Sequence, residues 1–285
     1  MSATATPSRA TYARNYDTPP QLEEGGTQTW LTRGANFIIA VSKVKAGDTL
    51  LREHNADEYF VFLPDTAATL EAGMEHIEAA GETLTIVPPG ASTVTARGPG
   101  QIVRVFTTRA TDLLAKVANA ANYADGAPDC APLVDWPEPT EGYRLRNYVM
   151  ADYAKEDSNM REFRSRALMI NVLAKRAVAR DVKKLSPHQH ADFEQGSLAV
   201  SGTYVHHLRF PWGPDMTTWR EDEHMEIGSP SVTVIPPKVI HTSRNIGSDT
   251  GWLIDIFAPP RMDFSLKPGM VCNADEYPMP ETKPA

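Results

Sequence analysis

Three histidines and a glutamate are spaced in this sequence as ligands for one transition-metal ion. His188, His190 and Glu194 lie in the run HQHADFE, and His241 closes the run PPKVIH that begins at Pro236. Neutral imidazoles with one carboxylate suit iron, manganese, nickel, copper or zinc better than calcium or magnesium, which prefer oxygen donors. The spacing also selects the backbone. Side chains on an extended strand repeat every two residues, so His188, His190 and Glu194 share a face. On a helix, positions i and i+2 diverge by about 200° and would scatter the imidazoles. Asp192 has the same parity, yet one ion cannot gather every donor along about 20 Å of strand. A bend or bulge is therefore expected there, with His241 supplied by a neighbouring strand. An isolated core histidine is ordinarily a packed, hydrogen-bonded residue; HxH with a following glutamate and a later proline-turn-histidine is a metal pattern.

The segments that must hold these residues are short and β-rich. They cover 36–42, 59–63, 84–87 and 101–107, then 167–173, 198–200, 203–208, 232–235 and 252–257. Turn signals such as Ala46-Gly47-Asp48, Pro64-Asp65 and Pro88-Pro89-Gly90 separate them, a spacing that suggests a sandwich or barrel. Residues 111–123 switch to helical propensity, with Thr111 or Asp112 as N-cap, and 124–142 read as a Pro- and Asp-rich linker. Residues 1–28 read as an extended or loosely ordered arm, the proline-rich tail from Ala258 as a surface wrap, and the basic stretch over 175–184 as a solvated strand face.

The segments repeat. Arg52-Glu53-His54-Asn55-Ala56-Asp57-Glu58 aligns under HQHADFE at an offset of 136, placing His54 under His190 and Glu58 under Glu194. PPGAST from Pro88 aligns under PPKVIH at an offset of 148, and Val105-Phe106 under Ile256-Phe257 at 151. Order is kept while the offset grows by insertion, so the chain is two copies of one β-domain.

The second copy resembles the cupin superfamily, whose motifs run G-x5-H-x-H-x3,4-E-x6-G and G-x5-P-x-G-x2-H-x3-N. His188, His190, Glu194 and Gly202 stand for the first motif; Pro236, His241 and Asn245 stand for the second. Val182 replaces the leading glycine, Gly202 comes one residue late, Lys238 replaces the turn glycine, and Gly228 lies two residues too far from Pro236. The resemblance implies an all-β fold of two cupin barrels (double-stranded β-helix or RmlC-like jelly rolls) with a short linking helix. The expected layout is an arm at 1–29, an N-terminal barrel at 30–110, a linker at 111–150, a C-terminal barrel at 151–262 and a tail at 263–285. It also implies one divalent transition metal per chain, iron foremost, with manganese, nickel, zinc or copper as alternatives. The four ligands expected are His188, His190, Glu194 and His241.

In the first copy Arg52 and Thr93 replace the outer histidines, and two ligands do not close a borderline-metal site. That copy is expected to be metal-free, with a role in structure or dimerisation, its Arg52 pairing with Glu58. In the second copy Asn245 and Gln195 are candidates to orient the imidazoles. The stretch from the glutamate to the Pro-Pro is 30 residues in the first copy (58 to 88) and 42 in the second (194 to 236), and the additional residues carry Trp212 and Trp219. These tryptophans either form an apolar lid over the barrel mouth or pack against the other barrel or a second subunit, and with Arg209 and Tyr204 they are candidate substrate contacts. His206 and His207 are adjacent on a strand, so one points inward as a candidate acid–base residue.

Composition removes other classes. The 285-residue chain carries a net charge of −8 without a compensating Lys/Arg cluster, which argues against nucleic-acid binding. Two cysteines without CxxC spacing give no disulfide framework, and no window of the sequence reaches the length of an apolar membrane span. A cytoplasmic protein with a small-molecule substrate is expected, and the resemblance adds a homodimer. The function expected is a non-haem iron dioxygenase acting on a small oxygen-chelating or aromatic substrate. The alternatives are a metal-dependent isomerase or decarboxylase on a sugar-like or keto acid, and a binding bicupin without turnover.

Overall fold

Alternating and β-branched runs such as Tyr59–Leu63 and Ser231–Ile235 bury both faces, and that decides the layering. A computed structural model describes residues 8–281 and contains four antiparallel sheets. A seven-stranded sheet runs in the order Arg146–Val149, Thr83–Val87, Tyr59–Leu63, Gly100–Thr107, Phe37–Val44, Thr27–Arg33, Leu22–Glu24. A six-stranded sheet runs Thr11–Arg14, Ser231–Ile235, Gln195–Ser201, Trp252–Phe257, Met169–Val172, Glu162–Arg164. Each large sheet is completed by a smaller one. In the first half this is Thr49–Arg52, Ser92–Ala96, Ala68–Ala72, Glu75–Ala79; in the second, Glu223–Ile227, Tyr204–Arg209, Ile240–Asn245.

The large sheets pack against each other. Phe37, Ile39, Phe60 and Phe62 from one meet Ile170, Leu198, Ile254 and Ile256 from the other in a single apolar cluster. The strands that precede each barrel are exchanged: Thr11–Arg14 pairs with Ser231–Ile235, and Arg146–Val149 pairs with Thr83–Val87. The duplication is thus a pseudo-twofold arrangement in which each half closes an edge of the other.

The opposite faces of these sheets line the two barrel interiors, and they differ. The first is filled by Leu31, Ile38, Val61, Leu70, Val94 and Phe106. The second carries a polar row in register across its large sheet, Glu162–Asn171–Asp255–Ser197–Thr233. Glu162 is fully buried, and neither carboxylate oxygen has a hydrogen-bond partner among the described residues.

Several sequence expectations are corrected here. Residues 11–14 of the arm are a paired strand, while Met1–Pro7 lie outside the described residues. The linking helix is only Thr111–Leu114, with a separate 3-10 turn at Ala120–Tyr123. Ala110, without a side-chain cap, occupies its N-cap position, and the Asp112 carboxylate is engaged by Arg52 instead. The 175–184 stretch is exposed loop with no strand in it. The tail is not merely a wrap, since Asn273 and Tyr277 are buried to 1%.

Candidate metal centre

The three histidines converge. His188 and His241 form an isolated antiparallel bridge, N–H to carbonyl at 3.0 and 2.7 Å, and the His190 carbonyl accepts from Lys238 N at 2.6 Å. Lys238 adopts φ +65°, the left-handed turn conformation that glycine takes without strain, and its ammonium pairs with Asp129 at 2.9 Å. One ligand atom from each of His188, His190 and His241 lies within 4.8 Å of the others; among the described residues this is the one such group of three or more. Burial first, then the nearby Arg261 guanidinium, pushes His190 down to about 3. Burial likewise lowers His241 to about 4. Both rings are neutral at pH 7, the form a metal requires.

The tautomers say what belongs between them. His188 Nδ1 donates to the Ser186 carbonyl at 2.9 Å, and His241 Nδ1 donates to the Val239 carbonyl at 2.9 Å, so the Nε2 of the neutral His241 ring presents a bare lone pair. Facing His241 Nε2 at 3.2 Å is Gln195 Oε1, which also lies 2.8 Å from His190 Nε2. The Gln195 amide is oriented by its own donation to Asp255 Oδ1 at 2.8 Å, so its oxygen must point at the histidines. Two lone pairs facing each other with no proton between them mark a place for a cation. The residues present therefore fit a divalent transition metal.

Glu194, the expected fourth ligand, is not in this group. Its carboxylate accepts from Ala35 N at 2.5 Å and from Tyr123 OH at 3.0 and 3.1 Å, all contributed by the first half of the chain. The reason is register. Residues 189–194 form a bend rather than a strand, and pairing starts at Gln195 opposite Ile235. The parity counted from His188 is lost in the bend, and Gln195 turns inward where Glu194 was expected. Gln195 thus moves from orienting group to candidate donor. Asn245 lines the cavity but touches no imidazole; it accepts from Gly247 N at 3.2 Å.

A cavity of about 230 Å³ opens over the histidines, lined by His188, Gln195, His241, Tyr204, Asp255, Arg176, Arg180 and Arg261. His206 points inward, is fully buried, and bonds Ser243 Oγ through Nδ1 at 2.7 Å; its Nε2 has no partner among the described residues. His207 points outward to His224 at 2.8 Å and accepts from Arg244 Nε at 3.1 Å.

Trp212, Trp219 and Arg209 are not at this cavity. The tryptophans stack at 4.5 Å and 6° on a separate groove with Arg209, Asp222 and His224. A bidentate Arg209–Asp222 contact and the bond from Trp219 Nε1 to the Gly213 carbonyl fold the insertion onto the outer face of the small sheet. In the first barrel, Arg52 pairs with Asp112 at 2.6 Å rather than with Glu58. The strand pairs Ser92–Ala72 and His241–Leu208 are equivalent, so Ser92, not Thr93, stands where His241 does.

Two residues that sequence reasoning missed hold this arrangement. Asn119 brackets Arg33, accepting from its N–H and donating to its carbonyl, both at 2.9 Å; Asn273 does the same to Arg164 at 3.0 and 2.9 Å. Four residues later, Tyr123 reaches Glu194 and Tyr277 reaches Glu58. The signal was available: Asn119-Ala120 with Tyr123 repeats as Asn273-Ala274 with Tyr277 at an offset of 154 (273 − 119), continuing the growing series.

No family model matches the chain, and no curated protein matches it. Solved structures do. The crystal structure of the Lactobacillus farciminis oxalate decarboxylase formate complex is similar with a TM-score of 0.58 at 15% identity, over 88% of this chain and 86% of that one. This chain has a cupin fold. A variant of the Bacillus subtilis oxalate decarboxylase OxdC aligns with a TM-score of 0.58 at 15% identity, over 93% and 82% of the two chains. AerE from Microcystis aeruginosa aligns at 0.52 and 11%, over 85% and 97%. At such identities the cupin likeness concerns the fold; the chemistry rests on the residues above.

Proposed function

We propose that the second cupin barrel is the active half of a metal-dependent enzyme, an iron dioxygenase acting on a small, oxygen-chelating acid. The observation that carries this reading is the convergence of the His188, His190 and His241 ring nitrogens with the Gln195 amide oxygen on one point at the base of a cavity. When bound there, the ion would supply Lewis acidity toward a chelating substrate and, as iron, redox chemistry with dioxygen.

The chain's own groups favour an anion. None of the four candidate donors is an anion, so nothing in that set offsets the charge of a divalent ion. Arg176 lines the cavity with no ion-pair partner among the described residues, and Arg261 lines its wall with its charge shared with Asp263 at 2.6 Å. A guanidinium holds a carboxylate through two parallel hydrogen bonds, so Arg176 would orient the acid. Arg261 sits among the Phe193, Phe257 and Phe264 rings, 3.5 Å from the last, which keeps that wall dry. Tyr204 would contact the substrate, and His206, neutral and partnerless at Nε2, is the candidate acid–base group. A pairing of two chains into a homodimer completes the reading.

A second reading, decarboxylation or isomerisation without dioxygen, is favoured by Asp255. Burial raises this carboxyl to about 6, against donation from Ser197 and Gln195, and it lines the cavity, so it can return a proton to carbon near neutral pH. The similar solved oxalate decarboxylases are named for such a reaction.

Metal analysis of anaerobically purified protein, followed by oxygen-uptake and CO2-release screens on diketones, catechols and 2-oxo acids, separates these. One equivalent of iron with oxygen uptake is expected. CO2 release without oxygen uptake would select the second reading, and a metal-free protein would remove both.

A further inference from the structure

The two glutamates aligned by the duplication, Glu58 and Glu194, are used in the same unexpected way. Glu58 accepts from Tyr277 OH at 2.6 Å and from Arg166 N at 3.3 Å, both from the second half. Glu194 accepts from Tyr123 OH and Ala35 N, both from the first half. Each carboxylate is a peg that the other half of the chain holds. The hairpins supplying the N–H groups are also equivalent, since Gly34 N donates to the Phe37 carbonyl and Ser165 N to the Leu168 carbonyl, each at 2.9 Å. Gly34 is needed there: a Cβ would stand 2.9 Å from the Glu194 carboxylate and 2.5 Å from the Phe37 ring.

The pegs differ in what lies beside them. Glu58 is followed by Tyr59, whose hydroxyl bonds Ser92 Oγ at 3.0 Å in an apolar interior. Glu194 is followed by Gln195 and lies four residues after His190. The 119–131 segment reaches the same loop once more, through Ala131 N to the Asp192 carbonyl at 2.5 Å, and reaches the adjoining turn through Asp129 to Lys238, whose N–H donates to the His190 carbonyl.

We propose that Tyr123 is a positioning residue for the metal centre: by holding Glu194 it fixes the bend through which Gln195, rather than Glu194, faces the three histidines. The first half of the chain then has a task without a site of its own. It supplies the mould that sets the register of the second. The inference rests on the metal reading above.

The pseudo-symmetry provides the control. Tyr123→Phe and Tyr277→Phe each remove one hydroxyl from one buried carboxylate and conserve shape, so their melting temperatures should fall comparably. Cobalt(II), added to purified full-length protein, reports the donor set by its visible absorption and the affinity by titration. Tyr123→Phe is expected to shift the cobalt bands and weaken cobalt binding about tenfold, the scale on which groups behind a ligand act. Tyr277→Phe should leave both unchanged. Glu194→Ala, which breaks the contact from the other end, should reproduce the Tyr123→Phe spectrum, and it carries the test if that chain folds poorly. Wild-type spectra in both the Tyr123→Phe and Glu194→Ala proteins would overturn the inference. Failure of wild-type protein to take up cobalt would overturn the metal reading itself, and this inference with it.

Discussion

The two barrels share one strand plan and carry opposite interiors. Position by position, Leu31, Ala40, Arg104 and Val61 of the first correspond to Glu162, Asn171, Asp255 and Ser197 of the second. On the small sheets Leu70 corresponds to His206, and Ser92 to His241. The first interior is packed hydrocarbon around one buried guanidinium, Arg104, and is closed by Arg52 and Asp112. The second holds a cavity and a polar row, with the Glu162 carboxylate and His206 Nε2 buried without partners among the described residues. A duplicated fold has thus divided its labour: one half contributes apolar burial, while the other gives up part of it to hold groups that chemistry can use.

Substitutions that move one barrel toward the other test this division. The largest effect is expected from His190→Ala, which should abolish stoichiometric metal binding, while His54→Ala at the aligned position changes metal content not at all; elemental analysis of the two proteins decides. Next, Leu70→Ala in the packed interior should destabilise by about 3 kcal/mol through lost burial and a cavity. By contrast His206→Leu, which copies Leu70 into the second barrel, should keep the melting temperature and the metal but lose turnover. Denaturant titration and activity together check the pair.

A smaller effect, on the order of 2 kcal/mol, is expected from Glu162→Leu, which copies Leu31 and removes a carboxyl left without partners. Burial raises Glu162 to about 8. A carboxyl with a raised folded-state value binds more protons folded than unfolded. Its contribution to stability is therefore intact below about 4.5 and is lost as pH rises through about 8. The variant's advantage over wild type should grow from pH 5 to pH 8; a constant advantage would mean that Glu162 ionises in the folded protein as it does in the unfolded chain. Smallest of all, Trp212→Ala should change stability by under about 0.5 kcal/mol and leave metal binding intact, because Trp212 is 72% exposed on the outer groove. Loss of activity in that variant would return the tryptophan loop to the histidine-lined cavity.

Much of the fold and part of the site are legible in the residues alone. The strands at Tyr59–Leu63 and Trp252–Phe257 fall where the β-rich runs lie. Alternation requires one of His206 and His207 to point inward, and burial selects His206. What failed did so where local pattern met a distant partner. Period-two counting from His188 holds only while the chain stays extended, and one bend before Gln195 inverted it. The tryptophan loop was placed by proximity in sequence, but Arg209 and Asp222 turned it to the opposite face.

The residue types and their spacing by themselves determined the duplication, the all-β plan and the three histidines, because these depend on periodicity and on donor chemistry carried within short segments. Only the tertiary structure decided that Glu194 is a peg and Gln195 the candidate donor. That choice rests on Tyr123 and Ala35, which lie 71 and 159 residues from Glu194, and a contact made across such a separation leaves no trace in the local pattern of either segment.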